Sequence, residues 1–190
     1  MNPKKLKMNS AYEALQKLSN DILKLNYEGS AIFCGYKYYI PRRWVESQGL
    51  SVMISLEGAT EFLGDFFEIF NKTYNEKFYF CCEPDSSNRN IIDVFPFKFI
   101  DVTEYNDAYY DLSGILLGNF LVFNESLDTI FYVSSDDLLF AFGDLEKLEC
   151  VFEVTQKDIK TEMLNYIEKH DIESLCADYY WGPNWKSEVK

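Results

Sequence analysis

The chain has 190 residues, 47% of them hydrophobic and 17% aromatic, with a formal net charge of −13. That length and apolar content suit one packed domain rather than a disordered chain, and 14 Tyr and 16 Phe predict a core of aromatic rings. The apolar runs are strand-sized and broken by charge, far short of the ~20 residues that cross a bilayer, and an excess of carboxylates repels nucleic acid and anionic lipid alike, so neither membrane nor nucleic acid is an expected partner.

Lys4, Lys5 and Lys7 precede no apolar run, so no secretory signal is expected. The odd set of cysteines, Cys34, Cys81, Cys82, Cys150 and Cys176, reads as reduced thiols, and both features predict a cytoplasmic protein. Ser10 and Glu13 form an S-x-x-E capping box, and Leu15, Leu18, Ile22 and Leu25 recur at helical spacing, predicting a helix over Ser10–Asn26 that ends before Gly29. Ala31–Ile40 reads as an aromatic strand stopped by Pro41, and Ser51–Leu56 as a short strand. Thr60 is placed to cap a second helix reaching Tyr74, with Phe62, Phe66, Ile69, Phe70 and Tyr74 on one side and Leu63 and Phe67 widening the stripe.

Lys77–Cys82 reads as a central strand, whose adjacent Cys81 and Cys82 point to opposite faces, an arrangement that suits neither a shared zinc ion nor a mutual disulfide. After the turn residues 84–88, Ile91–Val102 is extended, and Pro96 makes it an edge or a broken strand. A helix within Thr103–Gly118 would set Glu104, Asp107 and Asp111 on one negative face. Residues 120–142 read as a three-stranded meander, FLVF, TIFYV and LLFAF, whose second and third strands are apolar on both faces and so belong mid-sheet. Thr155, with Asp158 at N3, caps a last helix that turns Ile159, Met163, Tyr166 and Ile167 inward. Trp181 and Trp185 bracket Gly182-Pro183, a turn that would pin the tail to the domain through two rings or offer them as interface anchors. Together these predict one α+β domain over 1–190, with about five to seven mainly antiparallel strands and about three to five helices. Residues 1–8 and 186–190 read as flexible ends.

Chemistry is sparse. The single histidine, His170, lies near the end of the last helix, where an imidazolium favours the helix dipole. No H-E-x-x-H, C-x-x-C pair, calcium loop or phosphate-binding glycine pattern occurs, so no metal or cofactor is expected. Asp136-Asp137 is explained by turn chemistry, or could hold a hard cation. Arg42, Arg43 and Trp44 could grip a phosphate or a base, or pair with the chain's own carboxylates. The chain is therefore read as a non-enzyme, although two of its 31 acidic residues at the right separation would suffice for a carboxylate hydrolase.

The charge is not spread evenly. Residues 83–153 hold 3 Lys or Arg against 15 Asp or Glu (net −12), whereas 1–82 hold 10 against 9 and 154–190 hold 5 against 7. Such a field steers basic partners toward itself, or serves only to keep the chain in solution. Within that acidic stretch, Phe120–Phe152 resembles the layout of small cytosolic immunity proteins of bacterial toxin-immunity systems. The resemblance rests on a strand, an N-x-S-L turn at Asn124–Leu127, an aromatic strand, an S-x-D-D hairpin at Ser134–Asp137 and a strand ending at Gly143. It spans about a sixth of the chain, and Phe131 and Tyr132 stand where the middle strand of such proteins often has tryptophan. The resemblance implies an inhibitor that covers the cleft of a basic toxin, often a nuclease. Glu104, Asp107, Asp111, Asp136, Asp137 and Asp144 would form its acidic face, with Tyr109 and Tyr110 as anchors. The alternative from another class is a small-ligand or regulatory module enclosing a pocket in the aromatic sheet.

Overall fold

Strands that are apolar on both faces need cover on both sides, and the computed structural model supplies it with two helical layers around one sheet. The structure describes residues 3–25, 38–56, 62, 65–83, 94–111, 119–133, 138–170 and 175–189, without the side chains of 3–9, 108–111 and 175. Its elements are α1 (Pro3–Lys17), β1 (Lys24–Leu25), β2 (Tyr38–Tyr39), α2 (Arg42–Ser47), β3 (Ser51–Ser55), α3 (Phe66–Thr73), β4 (Phe78–Cys82), β5 (Phe95–Pro96), α4 (Val102–Asp111), β6 (Phe120–Asn124), β7 (Ile130–Val133), β8 (Leu139–Gly143), α5 (Leu145–Phe152), α6 (Gln156–His170), α7 (Leu175–Trp181) and α8 (Trp185–Glu188). It is a single α+β domain, with a six-stranded antiparallel sheet in the order β3-β8-β7-β6-β4-β5 and a separate β1-β2 pair. The described residues hold eight helices, more than the patterns predict, because α2, α7 and α8 span six, seven and four residues, too short to show a periodicity.

Register sorts the side chains. Val52, Phe142, Ile130, Phe123 and Tyr79 align across five strands on one face, and Met53, Ala141, Phe131, Val122 and Phe80 align on the other. The first face packs against α1, α6, α7 and α8 through Leu15, Leu18, Met163, Leu164, Tyr180 and Trp185. The second is covered by α3, α4 and α5, and its packing is largely ring on ring. Phe62 alone meets Phe66, Phe67, Phe97, Tyr105 and Phe120 with centroids 4.7 to 6.3 Å apart.

Each sheet edge has a position closed to further pairing. On β5, Pro96 has no N–H to offer, as expected for an edge. On β3, the Val52 carbonyl accepts from Trp181 Nε1 and from Gln156 Nε2, each at 2.9 Å. Trp185 is fully buried and its Nε1 donates to Asp178 Oδ1 at 2.7 Å, so the two tryptophans do pin the tail around Gly182, whose φ of +86° suits glycine. Residues 186–188 continue as helix α8, where Lys160 pairs with Glu188 at 2.7 Å.

Several local expectations are corrected. α1 starts at Pro3, so Ser10 lies inside the helix and makes no cap; its Oγ donates to Glu125 Oε1 at 2.8 Å. The helix then widens into a π-turn over Leu18–Ile22, with Leu23 N–H reaching the Leu18 carbonyl at 2.8 Å. That wider turn rotates the stripe, so Leu23 is buried and Leu25, expected inside, is 39% exposed. Tyr166 is likewise exposed rather than inward. Residues 31–37, Thr60 and Leu63 lie outside the described residues. The Thr155 cap is as predicted: its Oγ1 accepts from the Asp158 N–H at 3.2 Å and donates to Asp158 Oδ2 at 2.6 Å.

Candidate functional site

α4 exists because Asp101 and Glu104 start it. Asp101 Oδ1 accepts from the N–H groups of Thr103 and Glu104, each at 2.9 Å, while Glu104 Oε2 reaches back to the Ile100 N–H at 2.5 Å. This variant of a capping box satisfies donors that a helix start leaves open. Tyr105 anchors the inner side of the helix, 6.0 Å from Phe62, which in turn is 6.2 Å from Phe120, the partner of Val133. Glu104 and Asp107 face solvent. Tyr109, Tyr110 and Asp111 lie in the same helix, though their side chains are outside the described set, as is the β7–β8 connection that carries Asp136 and Asp137.

Asp144 has a local structural role as well. It follows Gly143 at the end of β8. It is exposed and caps α5, accepting from the Lys147 N–H at 3.1 Å. Two acids that the sequence reading missed are nearby in the fold, Glu76 and Asp128. The buried amide of Asn124 donates to Glu76 Oε2 at 2.8 Å and to Asp128 Oδ1 at 2.5 Å, and its oxygen accepts from the Thr129 N–H at 3.2 Å. Tyr74 is buried beside them: burial first, then the charges of Asp144, Glu76 and Asp128, push its phenol well above the ordinary range, against an opposing contact with the Thr129 hydroxyl. The turn at Asn124–Leu127 was visible in the sequence, but only the fold adds Asp128, and only the β4–β6 pairing brings in Glu76.

Next to this acidic lip, the end of α3, β4 and β5 enclose an open groove of about 930 Å³ with walls of Phe70, Tyr74, Phe78, Tyr79, Pro96 and Phe97. Its rim has mixed charge, Glu76 and Glu125 against Lys77 and Lys98. Tyr79 donates to Glu125 Oε1 at 2.7 Å, and burial together with that carboxylate raises the phenol to about 12. Reciprocally, the Tyr79 and Ser10 hydroxyls hold Glu125 below the ordinary carboxylate range. The arrangement offers an aromatic surface with fixed charges at its edge, suited to holding a cationic side chain or an apolar group.

The remaining sequence candidates are placed as follows. Arg42 pairs with Glu46 at 2.6 Å and donates to the Tyr179 carbonyl at 3.2 Å; Trp44 packs on the core. His170 is exposed at the end of α6, its ring 4.5 Å from that of Tyr166. Cys81 and Cys176 are buried, and burial pushes the Cys81 thiol up; Cys82 is partly buried and Cys150 exposed. Among the described residues no three His, Cys, Asp or Glu side chains are grouped to hold a metal ion, and no helix is long and apolar enough to cross a membrane. Compared with known proteins, the chain matches no family model, no curated protein and no solved structure.

Proposed function

We propose that the chain is a cytoplasmic, non-catalytic, acidic protein-binding module, an immunity protein that binds and neutralises a basic bacterial toxin. The observation that carries this reading is the net charge of −12 concentrated in residues 83–153, against a near balance over residues 1–82. α4 supports it further, because Glu104 and Asp107 face solvent on a helix anchored from behind by Tyr105. The proposed interface is centred on α4, with Asp111, Asp136 and Asp137 adding charge and Tyr109 and Tyr110 adding aromatic contact. Opposite charge speeds encounter and sets orientation, while rings that lose water supply affinity. Asp144, which follows β8, is assigned to the α5 cap and the Asn124 lip.

The test is affinity capture from the native cell lysate at low and then moderate salt, with mass spectrometry of the eluate. One basic protein held in equal amount supports the reading, and no retained protein at either salt overturns it. The groove of about 930 Å³ favours a second reading, a small-ligand module, which a compound copurifying with the chain would support.

A further inference from the structure

In a chain with 31 acidic and 18 basic residues, a lysine or arginine has carboxylates to spare as partners. Arg42, Lys72, Lys160 and Lys186 each have one within 4.0 Å. Lys24 and Arg43 form no ion pair among the described residues, yet they line one cavity of about 530 Å³ between the π-turn, β1, β2 and α2. No carboxylate is among the described residues of that wall; Tyr38 and Tyr39 are. Ser19 lines it too, on the π-turn, though its Oγ is turned away from the cavity and buried. π-turns recur at functional sites. A second cavity of about 360 Å³ shares Lys24 and Arg43 and adds Trp44, Pro41 and Asp21.

We propose that the cavity lined by Lys24 and Arg43 binds the phosphate group of a small phosphate-bearing molecule. A guanidinium and an ammonium together offer more donors than a two-oxygen carboxylate accepts well, and the planar guanidinium fork matches a phosphate edge. Asp21 keeps the anion out of the second cavity, so the organic part of the ligand extends there, against Trp44. This site lies in the near-neutral segment 1–82 and is independent of the protein interface proposed above.

The test uses the full chain labelled with ¹⁵N and phenyl phosphate as probe, with benzoate and inorganic phosphate as parallel titrants at matched ionic strength. Backbone amide shifts should saturate and cluster at Ser19, Lys24, Tyr39 and Arg43, with phenyl phosphate bound more tightly than either comparison compound. Arg43→Gln and Lys24→Gln should each weaken binding about tenfold, equal to about 1.4 kcal/mol, with circular dichroism unchanged. If one variant fails to fold, the other still decides. Shifts that do not saturate, that favour benzoate, or that are unaltered in the folded variants overturn the proposal.

Discussion

The chain's polar groups are placed where the sheet cannot satisfy itself. Glu125 takes two hydroxyls at once, Tyr79 at 2.7 Å and Ser10 at 2.8 Å, tying β4 and α1 to the β6–β7 turn. Its folded-state pKa is lowered, so its contribution is complete above the ordinary carboxylate value near 4.3 and is lost as pH falls through the folded value. Tyr79 works in the opposite sense: its raised pKa leaves the contribution intact below pH 10 and removes it as pH rises through about 12. Glu125→Gln should therefore lower stability at pH 7 by about 1 kcal/mol, a modest figure because the carboxylate is exposed. Below the folded-state pKa of Glu125 the variant and the parent should unfold at the same denaturant concentration. A difference that persists undiminished into acid would remove Glu125 as the titrating group.

The helices end by different devices, and one of them carries an evident strain. Glu153 sits at φ 53° after α5, with its N–H on the Cys150 carbonyl and the Val154 N–H on the Glu149 carbonyl, a Schellman ending. That conformation favours glycine, and Glu153 is exposed. Glu153→Gly should raise stability by about 0.5–1 kcal/mol in chemical denaturation; a loss would show that the glutamate makes a contact worth more than its strain. Elements of this kind explain what the sequence conveyed. The Thr155 cap, the Pro96 edge and the two-faced meander were legible because each is a local signal. The π-turn after Lys17 was not, because Leu15, Leu18, Ile22 and Leu25 fit an unbroken helix equally well, and only the packing of Leu23 selects the wider turn.

Across the whole molecule, the sheet order separates what a charge tally lumps together. Asp107 and Asp144 carry the same sign, but one lies on α4 and the other caps α5 after β8. Glu76 and Asp128, far apart in the chain, share one amide. The acidic excess was thus readable from composition, while its division between an α4 end and an Asn124 end required the fold. Glu104 serves both surface and helix start through its bond to the Ile100 N–H, so it is a poor residue for testing the surface alone. Asp107, exposed on the same helix, has no such bond among the described residues, and it can be reversed together with Asp111. The most direct measurement is the association rate of the captured basic partner at low and moderate salt, for the parent chain and for Asp107→Lys/Asp111→Lys. The parent rate should fall steeply with salt and the variant should associate about tenfold more slowly at low salt; equal rates, indifferent to salt, would contradict an acidic binding surface centred on α4.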